Sequence, residues 1–125
     1  FTQIWNEYNV NRADFLNRLP AIVESSDDSR VLAMIKEQGR YTSDTYYKVI
    51  DLQVSPDLEK AQYYFAYHLQ TQVSCYNHGG SYVRGMIDGD ESYLKYEELY
   101  REFMHTSCSA ADDHLKKAYE YMQKR

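Results

Sequence analysis

Apolar residues recur every three or four positions along this chain, β-branched runs are short, and proline occurs only at 20 and 56. That is the pattern of amphipathic helices. Four segments emerge. The first, 2–24, places Ile4, Tyr8, Asn11, Phe15, Leu19 and Ile22 on one face, with Pro20 predicting a kink or an early end. The stretch "ESSDDSRVLAMI" then supplies a stop and a restart, with Ser26 or Asp27 placed to cap a second helix over 27–54. Its seam reads Leu32, Ile35, Gly39, Thr42, Tyr46, Val49 and Gln53, and the small residues Gly39 and Thr42 predict close approach to a neighbour.

"VSPDLEKA" is the sharpest local signal: Ser55 caps, Pro56 occupies the first helical position, and Asp57 and Glu59 load the first turn. The third helix, 56–87, keeps a seam of Leu58, Ala61, Phe65, His68, Gln72, Cys75, Gly79, Tyr82 and Met86 straight through the glycine pair. Gly79 and Gly80 therefore read as helix. Gly89 ends it and Asp90 caps the fourth helix, 91–123, which turns Tyr96, Tyr100, Phe103, Ser107, Ala110, Ala111, His114, Ala118 and Tyr121 inward. Short connections between such segments predict an all-α, antiparallel up-down-up-down four-helix bundle, and the length of 125 residues suits one domain.

The third and fourth helices each carry one of the two cysteines. A hairpin centred near Gly89 sets Cys75 level with Phe103, leaving Cys108 about five residues, or ~7 Å, out of register. Packed helix axes also lie about 8–10 Å apart, whereas a disulfide needs Cα atoms roughly 4.4–6.8 Å apart. The lining is small, however: Ser74, Gly79 and Gly80 face Ser107, Ser109, Ala110 and Ala111. Such residues let backbones draw together, and a bulge at the glycines would absorb the offset. A Cys75–Cys108 bridge is the expectation, and with it an oxidising, extracytoplasmic compartment, secreted, periplasmic or tethered at the cell surface. The start at Phe1 without a methionine suggests a removed leader or an anchor ahead of this chain.

Charge narrows the partners. The net charge of −5 comes from 19 acids against 14 scattered cations, with no basic block to neutralise a phosphate backbone, so nucleic acid is not expected. No segment reaches the ~20 apolar residues of a membrane span. Tyrosine is over-used, with 14 copies against four phenylalanines, and suits positions half in a core and half in water, or a rigid contact surface.

Candidate chemistry is sparse. "EFMH" holds Glu102 and His105 at the Glu-x-x-His spacing of a bundle metal site, but no second copy exists; His68 and His114 fall on seams about one turn apart across the hairpin. "DGDES" fails as a calcium loop, with Tyr93 where glycine and Leu99 where glutamate should stand. No phosphate-binding glycine loop, nucleophile elbow or C-x-x-C-H run is present. One interior mismatch remains. Large or polar residues of the third helix, His68, Gln72, Tyr76 and Tyr82, oppose a fourth-helix face of Ser107, Ala110, Ala111 and His114, and His68, Gln72, Tyr76, Tyr82, Ser107 and His114 make a candidate ligand pocket in the bundle. The sequence thus points to a non-enzymatic, extracytoplasmic helical binding or interaction domain without cofactor, a tethered sensor or lipoprotein module being one version. Its partner would be a protein or small ligand. The alternative is a metal- or haem-binding bundle using the seam histidines.

Overall fold

The computed structural model of the protein describes residues 1–89 and 91–124; of Ser92, Tyr93, Leu94, Tyr96 and Tyr100 it describes the backbone alone. Four helices run α1 (Thr2–Glu24), α2 (Asp28–Ile50), α3 (Glu59–Asp88) and α4 (Glu91–Gln123), with a short 3-10 turn, Pro56–Leu58, leading into α3. They form the expected antiparallel bundle, and no strand occurs among the described residues. The Asp90 cap and the inward orientation of Tyr96 and Tyr100 lie outside the described residues.

α1 buries Trp5, Tyr8, Phe15 and Ile22. Trp5 was missed by the seam because it takes the core position that Ile4, half-buried, borders. The helix passes Pro20 and reaches Glu24 with no early end. Pro20 is exposed and forfeits a single backbone bond, while burial of Ile22 two residues on anchors the last turn in the core. Ser26, at φ 60°, then turns the chain, and Asp27 accepts the Arg30 backbone N–H at 3.1 Å as the cap of α2.

α2 stops at Ile50, four residues before the expected Val54, and Gln53 stands exposed beyond it. A contact from α3 meets the chain there: Gln62 Nε2 donates to the carbonyls of both Val49, in the last turn of α2, and Leu52, just beyond it, at 2.8 Å. At the entry to α3 the Ser55 hydroxyl bonds the Asp57 carboxylate and caps no backbone N–H; the turn closes instead through Leu58 N–H to the Ser55 carbonyl at 2.9 Å.

α3 is continuous through Gly79 and Gly80 and ends at Gly89, whose φ of 61° is the left-handed cap expected there. Its buried stripe does not follow the strict heptad to the end. Val83 and Gly85 go inside, Tyr82 is half-buried and Met86 is 45% exposed. A straight helix drifts about 20° per heptad against a 3.5-residue repeat, so over a helix this long the seam walks around the cylinder. Phe103 on α4, expected inside, is likewise 46% exposed.

The core falls into clusters on either side of a polar middle. Trp5, Tyr8, Val49, Phe65, Leu69 and Ala118 pack one end; Ile22, Val31, Leu32 and Val83 pack the other; Phe15, Cys75 and Tyr76 lie between. Backbone approach is closest between α3 and α4, less between α2 and α3, and least, among the neighbours around the bundle, between α1 and α4.

A Cβ added at Gly39 would lie 3.6 Å from Tyr76 Cβ, so α2 and α3 run in van der Waals contact there without requiring a glycine. Gly80 is alike: an added Cβ meets only Leu32 Cδ1 at 3.8 Å and Ile35 Cγ2 at 3.9 Å, ordinary contacts in a regular helix. Gly80→Ala should therefore stabilise the protein by about 0.5–1 kcal/mol by restricting the unfolded chain. Urea unfolding measures this. A loss of stability instead would show that the backbone there departs from a regular helix.

Candidate functional site

Cys75 and Cys108 are joined, with Cα atoms 4.8 Å apart, and no free cysteine remains. Contacts on both sides of them share one register. Ser74 Oγ meets Ser107 Oγ at 3.3 Å, Thr71 Oγ1 meets His114 Nδ1 at 3.3 Å, Tyr64 stacks on Tyr121, and a Cβ on Gly79 would meet Met104 Sδ at 3.6 Å. The offset expected at the cysteines is thus carried along the hairpin from the Tyr64–Tyr121 pair to Gly79 and Met104. No bulge at the glycine pair is needed to absorb it, and α3 has none.

The same close packing closes the seam where the pocket was expected. His68 is fully buried, its Nδ1 2.6 Å from the Ala111 carbonyl and its Nε2 2.6 Å from the Tyr8 hydroxyl. A carbonyl only accepts, so Nδ1 carries the proton and donates it, and Nε2 accepts from Tyr8. Burial lowers the His68 pKa to about 4, the Ala111 bond opposing the shift only in part, and burial pushes the Tyr8 phenol well up. Ser107 and His114 are engaged across the seam with Ser74 and Thr71. Tyr82 packs beside Ile22, Val31, Leu32 and Val83, away from His68. Tyr76 turns to α1, edge-on to Phe15 with ring centroids 5.4 Å apart. The six residues proposed as one pocket therefore separate into several environments, and the space lies elsewhere.

It opens between α1 and α4. α1 turns the large side chains of Trp5, Tyr8 and Phe15 into the bundle, while the disulfide ties α4 to α3. The uncovered seam contains a cavity of about 330 Å³. Phe15, Leu16 and Leu19 wall it on the α1 side and Met104 on the α4 side; the disulfide, Gln72, Tyr76 and Gly79 form its base. Arg12 and Asp112 stand at its edge, where a more polar space lined by Asn9, Lys116 and Tyr119 continues along the same seam. Arg12 donates through Nε to Gln72 Oε1 at 3.2 Å and through Nη2 to Asp112 Oδ1 at 2.8 Å. The Tyr76 hydroxyl is the one buried side-chain polar atom without a partner among the described residues. Burial raises its pKa to about 12, against the opposing pull of the Arg12 charge.

Of the expected pocket residues, only Gln72 and Tyr76 line this cavity, together with both cysteines. Arg12, Phe15, Leu16, Leu19, Met104 and Asp112 were missed. For Arg12 a signal existed: it is in step with Tyr8, Phe15 and Leu19, a cation on an apolar stripe, which calls for a partner across the bundle.

The metal candidates do not converge. Both His68 nitrogens are taken by hydrogen bonds, so neither can ligate while those bonds stand; Glu102 and His105 are exposed on α4. Among the described residues no three His, Cys, Asp or Glu side chains gather. Among the described residues no helix is long and apolar enough to cross a membrane. Of the tyrosines with described side chains, Tyr41, Tyr46, Tyr64, Tyr82 and Tyr121 take the expected half-wet positions, Tyr47, Tyr63, Tyr67 and Tyr119 are exposed, and Tyr8 and Tyr76 are buried. Tyr63, Tyr64 and Tyr67 form one contiguous group of rings on α3, extended by Tyr121 and His114 of α4. In comparisons with known proteins, no family model, curated protein or solved structure matches this chain.

Proposed function

We propose that this is a non-enzymatic binding domain of an oxidising, extracytoplasmic compartment, which takes a small, mainly apolar ligand in the cavity between α1 and α4. The observation that carries this reading is the cavity itself: about 330 Å³ of space walled by Phe15, Leu16, Leu19 and Met104 and based on the disulfide. Ligand sites of bundles lie between helices in this way, apolar in wall with a few polar groups that fix orientation. At an interior packing density of about 0.74 the space suits a ligand of on the order of a dozen non-hydrogen atoms. Arg12 and Gln72 supply the polar end. They are engaged with each other and with Asp112, and Tyr76 titrates far above neutrality, so the groups at the cavity favour holding a molecule over transferring its protons. The sulfur linkage supports the compartment, because such bonds persist where thiols are not kept reduced.

The neutral bicyclic probe 2-naphthol tests the cavity. Titrated against the protein and followed by methyl NMR, it should shift Leu16, Leu19, Ile35 and Met104, and Leu16→Trp, which crowds the mouth, should weaken binding about tenfold. Shifts centred on the exposed tyrosines, or none, would move the binding surface away from this seam.

A further inference from the structure

A second concave surface lies between α2 and α3. It is a groove of about 610 Å³ with Gly39 and Gly80, one on each helix, in its lining together with Lys36, Arg40 and Arg84. Asp44 is the one acid among its lining residues, on a chain whose net charge is −5. None of the three cations has an ion-pair partner among the described residues; the ion pairs there involve Arg12, Arg18 and Arg101. Ser43, Asn77 and Ser81 add hydroxyl and amide donors, and Ile35 and Val73 give the floor an apolar part.

An excess of like charge gathered in a concavity repels itself and attracts a counter-ion more strongly than the same charges spread over a convex face. Guanidinium groups present paired N–H donors that match the oxygens of a phosphate or sulfate, and lysine adds a point charge. We infer that the α2–α3 groove binds an organic oxyanion, a phosphate or sulfate monoester, through Lys36, Arg40 and Arg84, with its carbon skeleton laid along Ile35 and Val73. The inference is independent of the α1–α4 cavity, with which this groove shares only Tyr76 and Ile35 as wall.

Phenyl phosphate is the probe, with phenyl β-glucoside as its uncharged counterpart and vesicles of phosphatidylglycerol in phosphatidylcholine as the lipid source of the same chemistry. Phenyl phosphate should shift the Ser43, Asn77 and Ser81 amides saturably, and the glucoside should not. The double variant Arg40→Gln/Arg84→Gln, on exposed positions, should bind about tenfold more weakly. Lys116→Gln/Lys117→Gln removes the same charge from exposed α4 positions outside the groove and should stay within about twofold of the parent. Vesicle binding lost in the Arg40/Arg84 variant, with no response to phenyl phosphate, would support the oxyanion site and assign it to a lipid headgroup. Equal responses to phosphate and glucoside, equal losses in both double variants, or no binding to either phosphate or vesicles would overturn the inference.

Discussion

Replacing Cys75 and Cys108 together by alanine should lower the unfolding free energy by about 3–4 kcal/mol, the chain-entropy cost of releasing a loop closed across 33 positions. For a chain of this length that corresponds to a fall in Tm on the order of 10 °C. The loss should come with a larger urea m value, because the uncrosslinked unfolded chain exposes more surface. Reductant added to the parent protein should reproduce both changes. The bridge also holds α4 against α3 and forms the base of the α1–α4 cavity, so 2-naphthol should bind the double variant more weakly. A double variant that unfolds within about 1 kcal/mol of the parent would show that the bridge does not restrain the unfolded chain.

Acid should destabilise this protein well above the range where carboxylates titrate. His68 is buried neutral, and its folded pKa of about 4 lies below the ordinary value of 6.5. Below pH 6.5 the unfolded state takes up a proton that the folded state refuses. The stability contributed by neutral His68 is therefore complete above pH 6.5, drains away as pH falls toward 4, and is lost below that. The gap between the two values corresponds to about 3 kcal/mol. The structural reason is specific. Nδ1 already donates to Ala111, so a proton could arrive only at Nε2, where the Tyr8 hydroxyl now donates, and the charge would have no water around it. Urea unfolding at several pH values measures the slope. His68→Gln, which cannot titrate, should be less stable at neutral pH but lose much less between pH 6.5 and 4. If the two proteins show parallel slopes, the acid sensitivity belongs to other groups.

What could be read from the residues alone was local. The bounds of α1, the Asp27 cap, the left-handed Gly89 and the helical run through Gly79 and Gly80 depend on propensity, capping and periodicity within a few turns. The four-helix class follows from those segments and their short links. The cysteine pairing was legible too, because an antiparallel hairpin and a lining of small residues constrain where two sulfurs can meet.

Tertiary structure decided the rest. Where α2 ends, Gln62 from the next helix bonds the carbonyls of Val49 and Leu52. The stagger of α4 against α3 removes the bulge that a hairpin centred on Gly89 demanded, and it fills the seam where a pocket was expected. Arg12 finds Gln72 and Asp112, positions 60 and 100 residues away, and the cations of the α2–α3 groove come together from two helices. Periodicity tells which face of a helix is apolar. It does not set the distance or the axial offset between two helices, which depend on side-chain volumes from both, and in this protein those spacings create the cavity, the groove and the neutral histidine.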